Sequence, residues 1–239
     1  MKITPRLFFI LLFFTVGCQS QPTKLFETDK DFEKRAFEKI RFGEKFDLKR
    51  SVIVDTRSRF DHEMSRPPRS FHAYWKDWQL SGLSGENLKK QKQILQRQLA
   101  LNGVDPLTQV VILGKALQGE GDEFAVAATL VSLGIKKITF VDEYSMQKSL
   151  VSLDIPPLAN LPYWESDVTY QFDCQGSEPA DLVVGNDSWG VKDLFNPDMS
   201  IKRKSFPKGI KVRIGDKTGR WAYGLALYLK EQGRQPCVL

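Results

Sequence analysis

Three short apolar runs, rich in β-branched residues, alternate with segments of helical periodicity over the first 150 residues of the chain. The runs cover residues 51–55, 109–113 and 138–141. A strand in a one-sided sheet alternates apolar and polar residues, whereas a parallel strand covered by helices on both faces is apolar throughout. The alternation therefore predicts an α/β fold in which helices flank a mainly parallel sheet.

The helices around these runs are predicted from apolar residues at helical spacing that are followed by a glycine. They cover residues 28–42, 86–102 and 123–133. Residues 58–84 have no such period and contain two consecutive prolines, so this segment is predicted to be irregular. It carries an aromatic cluster that we interpret as an apolar lid on the sheet, with a binding patch as the alternative. The cluster consists of Phe71, Tyr74, Trp75 and Trp78.

The order of elements is partly repeated after a proline-rich stretch at 151–167, which we interpret as a linker. Leu182–Val184 and residues 210–214 are predicted to be strands, followed by a helix at 221–232 and a closing strand. Two units with the same order indicate a duplication, with a shorter second copy at 168–239. The sequence leaves open whether this copy completes its own sheet or adds elements to the first.

Residues 1–17 have the layout of a secretion signal, with a basic start and an uncharged apolar run, and they end at Gly17 directly before Cys18. The apolar run covers only about half of a bilayer's hydrocarbon core and is too short to span it. Its end resembles the lipobox of bacterial lipoproteins, with Thr15 where that class usually carries Leu, which implies a lipid on Cys18. Gln19, which is not Asp, implies sorting to the outer membrane. We therefore expect a chain held to the membrane by its lipid on the periplasmic side, with a tether and lead-in helix at 18–44.

The net charge of +6 comes from basic residues that are spread along the chain. Because there is no clustered basic patch and no reader motif, nucleic-acid binding is not expected. His62 and His72 are the only histidines, and no Cys or carboxylate stands at metal-ligand spacing from them. We interpret both as surface or packing residues, and we expect neither a metal nor a cofactor.

The chain has three cysteines, and a lipid on Cys18 leaves Cys174 and Cys237. In an oxidising compartment two remaining thiols can pair. Because the sequence does not give the separation of their Cα atoms, a disulfide and two buried thiols both stay open.

The motifs of residues 45–150, in their order along the chain, resemble those of a rhodanese-like domain. They are Val52-Ile53-Val54-Asp55-Thr56-Arg57, Pro68 before the aromatic cluster, Gly103-Val104-Asp105-Pro106, Val110-Val111-Ile112-Leu113 and Leu133-Gly134-Ile135. A degenerate second copy at 168–239 is indicated by Gly215-Asp216-Lys217-Thr218-Gly219-Arg220 ahead of an apolar helix. The tandem is similar to the two-domain thiosulfate and mercaptopyruvate sulfurtransferases.

The resemblance implies a cysteine at the start of the loop after the central strand, where backbone N–H groups stabilise its thiolate. In the first copy this position falls at Gly114, and the loop that continues to Glu123 carries three acidic residues. We interpret that loop as a solvated helix cap. In the second copy the position falls at Asp216, where an anion would still find donors on Lys217, Thr218, Gly219 and Arg220.

The resemblance also assigns Asp55 and Arg57 to a strand-end pair that orients the loop, and we expect them to form an ion pair. Because neither copy has the loop cysteine, we expect a non-catalytic binding or scaffolding module with a protein partner. Two alternatives stay open. One is a sulfurtransferase that uses a displaced cysteine, Cys174 or Cys237. The other is a protein that binds a small oxyanion in the second loop.

Overall fold

A five-stranded parallel sheet forms the first half of the protein. The computed structural model describes residues 40–42, 46–47, 50–149, 164, 172–186, 189–202, 205–206, 209–217 and 219–239. The strands are β1 (Ile40–Phe42), β2 (Ser51–Asp55), β3 (Ser70–His72), β4 (Gln109–Gly114) and β5 (Lys137–Asp142). Their order is β1-β5-β4-β2-β3, with every neighbouring pair parallel. The predicted α/β fold with a mainly parallel sheet is confirmed.

Helices cover both faces of this sheet, as continuous apolar strands require. On one face Ile53 and Val111 pack with Met146. On the other face Val52 and Val110 belong to a larger core that contains the buried residues of the two longest helices of this half. The helices are α1 (Arg59–Met64), α2 (Gly85–Leu101), α3 (Asp122–Ser132) and α4 (Glu143–Ser149).

The second half builds its own sheet on the same core. Strands β6 (Leu182–Val184), β7 (Lys211–Asp216) and β8 (Gln235–Val238) are parallel and lie in the order β6-β7-β8. The helices of this half are α5 (Val191–Leu194) and α6 (Trp221–Glu231). One apolar core contains residues of both halves, so the second unit is packed onto the first.

Helix α6 packs closely against α3. The rings of Phe124, Phe195 and Trp221 meet there with centroids 5.1–5.4 Å apart. The close approach needs a glycine at position 224, because a Cβ at that position would lie 2.8 Å from the Phe124 ring.

Cys174 and Cys237 are joined by a disulfide, with an S–S distance of 2.06 Å and a Cα–Cα distance of 4.8 Å. The bond connects the segment before β6 to β8. In the same place the Cys174 N–H donates to the Val238 carbonyl at 3.0 Å. The disulfide therefore closes the second half between its first and last described segments.

The lead-in helix predicted at 28–42 is wrong at its end. Residues 40–42 form strand β1, which pairs with β5, and residues 28–39 lie outside the described residues. The first sheet therefore begins before the domain boundary drawn at residue 45. Tertiary pairing at a sheet edge overrides the local helical pattern in this three-residue segment.

The segment 58–84 is not irregular, because it contains α1 and β3. Ser58 caps α1 by accepting a hydrogen bond from the Asp61 N–H at 3.1 Å. Both elements are too short to show a hydrophobic period.

The signal at 1–17, Cys18 and the tether lie outside the described residues. Within the linker at 151–167 only Trp164 is described, and its indole N–H donates to the Leu133 carbonyl at 3.2 Å. No helix in the described part of the chain has the length and apolar character needed to cross a membrane.

Candidate functional site

Asp55 and Arg57 form a buried ion pair where β2 ends. The Asp55 side chain is 0% exposed and the Arg57 side chain 2% exposed, with Arg57 Nη2 2.8 Å from Asp55 Oδ2. Arg57 Nε and the Arg57 backbone N–H both donate to Asp55 Oδ1, at 3.0 and 3.1 Å. Burial opposes ionisation of Asp55, but the hydrogen bonds from Arg57 and His62 outweigh it and hold the pKa of Asp55 below its usual 3.8.

The two histidines complete this network. His62 is buried, and its Nδ1 lies 3.0 Å from Asp55 Oδ2. His72 Nε2 lies 2.8 Å from the Arg57 carbonyl oxygen. On the other side Arg57 Nη1 donates to Glu143 Oε1 at 2.7 Å. The side chain of Arg57 also donates to the Ser65 hydroxyl and carbonyl oxygens at 3.1 Å, so these bonds connect the end of β2 to the segment that follows it.

Gly114 ends β4, and its missing side chain leaves room for the Glu123 carboxyl. A Cβ at position 114 would lie 2.7 Å from Glu123 Cδ. Glu123 is only 2% exposed, and its Oε1 is buried without a hydrogen-bond partner. Burial raises the pKa of Glu123 to about 7, although its own N–H and that of Ala116 favour the ionised form. The prediction of a solvated cap is therefore wrong for Glu123.

The loop between Gly114 and α3 has an ion pair at each end, from Lys115 at its start and from Glu120 near its end. Lys115 Nζ lies 2.9 Å from Asp61 Oδ2 of α1. Ala116 has a φ of +48°, a left-handed conformation that costs a non-glycine residue free energy. Gly121, at the end of the loop, has a φ of +81°, and a Cβ there would lie 2.9 Å from the Trp221 backbone nitrogen. The first loop thus lies directly against the start of α6.

Asp216 ends β7 and caps the start of α6. Its Oδ1 accepts a hydrogen bond from the Gly219 N–H at 3.0 Å, and its Oδ2 accepts one from the Ala222 N–H at 2.7 Å. The carboxylate thus takes the N–H groups that would hold a bound anion at this helix N-terminus. Lys217 is exposed next to it, and Thr218 lies outside the described residues.

Arg220 connects the second loop to the first. Its Nε donates to Asp122 Oδ1 at 2.5 Å and its Nη2 to Glu120 Oε2 at 2.7 Å. Its backbone N–H donates to the Glu120 carbonyl at 2.7 Å. The guanidinium also lies 4.0 Å from the centroid of the Trp75 ring. Burial raises the pKa of Asp122, and the bond from Arg220 offsets only part of this effect.

A groove of about 290 Å³ between the halves brings several of the predicted residues together. Its lining includes Trp75, Asp216, Gly219 and Arg220, whereas Gly114 and Asp55 lie elsewhere. Tyr223 also lines the groove, and burial raises the pKa of its hydroxyl. A second cleft, of about 620 Å³, lies beyond the ends of β4 and β5 and is lined by Lys115, Tyr144 and Asp198 among others.

The aromatic cluster is divided between two roles. Phe71 and Trp78 are buried and stack with centroids 5.7 Å apart, as expected for a lid on the sheet. Trp75 instead lies under Arg220 of the second half, and Tyr74 is 42% exposed. The cluster is therefore both lid and bridge between the halves.

Sequence reasoning missed Glu123 as a site residue. The signal that could have found it is the run of uncharged, mostly apolar residues from 124 to 132, which the structure buries almost completely in α3. A helix that is apolar on all sides buries an acid in its first turn together with the rest.

No group of three or more His, Cys, Asp or Glu side chains that could hold a metal ion occurs among the residues that the structure describes. Comparison of the chain with family models, with curated proteins and with solved structures finds no match. The function therefore has to be argued from the site itself.

Proposed function

We propose that this protein is a tandem rhodanese-like module that binds a protein partner and does not transfer sulfur. The two sheets support the tandem. In the first, β2, β4 and β5 are neighbours with α3 between β4 and β5; in the second, β6, β7 and β8 are neighbours with α6 between β7 and β8. In each sheet the central strand of the three leads into the loop that would carry the nucleophile.

The observation that carries the proposal is that both loops are filled by the protein's own carboxyl groups. Glu123 occupies the space beside Gly114, and Asp216 takes the N–H groups of Gly219 and Ala222. Sulfur transfer needs a thiolate that can carry a sulfane sulfur. A glycine and a hydrogen-bonded aspartate at these two positions cannot do so.

The disulfide weighs against a displaced cysteine. With Cys174 and Cys237 bonded to each other, neither offers a thiolate to thiosulfate or to a mercapto-acid. The bond also fits the oxidising, periplasmic compartment that residues 1–19 indicate, with a lipid on Cys18 as the anchor to the outer membrane.

The ion pairs of Arg220 weigh against oxyanion binding in the second loop. Its guanidinium is shared by Glu120 and Asp122, and the Asp216 carboxylate lies next to the same loop. An incoming anion would meet three carboxylates. Because both anions also stabilise folded proteins non-specifically, addition of sulfate or phosphate should shift the melting temperature of the wild type and of Arg220→Ala by the same amount.

A sulfur transfer assay tests the catalytic part of the proposal. The chain that begins after Cys18 and its Cys174→Ser, Cys237→Ser variant are assayed for transfer from thiosulfate to cyanide. We expect background rates from both. Turnover that disappears in the double variant would overturn the proposal and assign the nucleophile to one of these cysteines.

Photo-cross-linking in intact cells tests the binding part. In open α/β sheets, ligands meet the carboxyl ends of the strands. Reactive residues are therefore placed at the exposed Phe60, Tyr74 and Tyr144 near that edge, and the control is the exposed Leu107 ahead of β4. We expect a protein adduct from the first set and none from Leu107. If none of the three positions gives an adduct, the proposed binding role is wrong.

A further inference from the structure

Among the described carboxylates, Glu123 alone has a buried oxygen without a hydrogen-bond partner. The side chain lies between Gly114, at the end of the central strand, and the loop that contains Ala116. An unpaired buried charge is far more costly than an unpaired neutral carboxyl group. The packing around Glu123 therefore fits its protonated form.

Among the described residues, the basic side chains in the elements around Glu123 are paired with other carboxylates. Lys115, in the adjacent loop, pairs with Asp61 of α1. Arg220, at the start of α6, pairs with Glu120 and Asp122; its charge lowers the pKa of Glu123, but the charge of Asp122 raises it more strongly. On β2, Asp55, Arg57 and His62 bond to one another.

The loop, rather than the core, is the part that can respond to a charge on Glu123. Gly114 is buried at the end of β4, and most residues of α3 that follow Glu123 are buried in the core. Ala116 has a strained left-handed φ of +48°, and its N–H faces the Glu123 carboxyl. Opening of the loop would relieve this strain and would bring the carboxyl into contact with water.

The loop is in direct contact with the second half, so a movement of the loop would change that contact. The Glu120 carbonyl accepts the Arg220 N–H at 2.7 Å, and Gly121 packs on the Trp221 backbone. Arg220 in turn lies over Trp75. The loop, the start of α6 and the aromatic bridge are thus one connected set of contacts.

We propose that Glu123 is a proton-operated latch, which means that its protonation state controls whether the loop from Lys115 to Gly121 is closed or open. When the Glu123 carboxyl is protonated, this loop is closed and hydrogen-bonded to Arg220. Loss of the proton opens the loop and breaks these contacts between the two halves. The latch goes beyond the proposed binding function, and it can be tested without a partner.

Hydrogen exchange of single backbone amides tests the latch. The reporters are the Gly119 N–H, which bonds to the Ala116 carbonyl, and the Arg220 N–H, which bonds to the Glu120 carbonyl. A pKa of about 7 in the closed state and of 4.5 in the open state predicts an opening constant that rises about tenfold between pH 6 and pH 8. Protection is corrected for the intrinsic pH dependence of exchange, and Val111 in β4 is the core control.

Two variants make the test decisive. In Glu123→Gln the group cannot ionise, so the reporters should show no such rise. In Gly114→Ala the added methyl meets the Glu123 carboxyl, so the loop should already exchange faster at pH 6. The proposal is overturned if wild type and Glu123→Gln change in parallel, or if Val111 loses protection as much as Gly119 and Arg220 do.

Discussion

Asp55→Asn tests whether one buried carboxylate holds the end of β2 in place. Asp55 accepts hydrogen bonds from the backbone N–H, Nε and Nη2 of Arg57, and its Oδ2 lies 3.0 Å from His62 Nδ1. Asparagine keeps the shape, removes the charge and replaces one acceptor by a donor. Breaking a buried ion pair from one side costs about 3–5 kcal/mol, because the other charge stays buried. We expect the free energy of unfolding to fall by this amount.

Glu143→Gln is the matched control, because Glu143 pairs with the same guanidinium but is 41% exposed. Its loss should cost less than about 1 kcal/mol. Urea denaturation at pH 7 measures both variants, provided that the m-value stays constant. An Asp55→Asn cost no larger than that of Glu143→Gln would refute the reasoning.

The stability that the Asp55–Arg57 ion pair contributes decreases when the pH is lowered far enough. The pKa of Asp55 is lowered in the folded protein, so the stabilisation is present above the unfolded value of 3.8. It is lost as the pH falls through the lower, folded pKa. The difference between wild type and Asp55→Asn should therefore shrink only below a pH of about 4.

Three further changes have expected outcomes. Because the pKa of Glu123 is raised from 4.5 to about 7, the wild type should lose up to about 3 kcal/mol of stability as the pH rises through this range, and Glu123→Gln should not; urea denaturation at pH 5 and pH 8 measures the difference. Replacing Cys174 and Cys237 by Ser removes a cross-link over a sequence separation of 63, which restores loop entropy to the unfolded chain and should cost about 4 kcal/mol in calorimetric unfolding. Gly224→Ala puts a methyl group 2.8 Å from the Phe124 ring and should cost about 1–3 kcal/mol in guanidinium denaturation; an unchanged midpoint would contradict the close packing of α3 and α6.

The strands at the centre of the sheets could be predicted because burial on both faces leaves its mark in the sequence. Leu182–Val184 has the predicted bounds, and β4 extends one residue beyond its predicted end. The edge strand β1 could not be found this way, because its pairing with β5 is a contact between residues about 100 positions apart. Local pattern carries no information about such a partner.

The candidate site likewise contains local contacts, which the sequence predicts, and long-range contacts, which it does not. The pairing of Asp55 with Arg57 is local, two residues apart, and the expected ion pair is present in the structure. Arg220 bonds to residues 98 and 100 positions earlier in the chain. The sequence around Arg220 therefore could not show that its guanidinium is already paired with carboxylates. The burial of Glu123 depends on the missing side chain of Gly114 across the loop.

The two loops lead to opposite predictions for an introduced thiol. In Asp216→Cys the sulfur replaces a carboxylate that accepts two N–H bonds at a helix N-terminus, and such a site stabilises the thiolate. In Gly114→Cys the sulfur is forced against the Glu123 carboxyl in a buried space, which disfavours the thiolate.

The thiol pKa of Asp216→Cys should therefore lie below the ordinary value of about 8.5, and that of Gly114→Cys above it. Ultraviolet absorbance of the thiolate as a function of pH measures both, with the Cys174–Cys237 disulfide intact. Gly114→Ser serves as the control for folding, since it places a side chain of similar size at position 114 without a titrating thiol. Equal or reversed pKa values would mean that the N–H groups around Asp216 do not favour an anion. The carboxylate of Asp216 would then be only a helix cap, and the proposal that it occupies an anion site would fail.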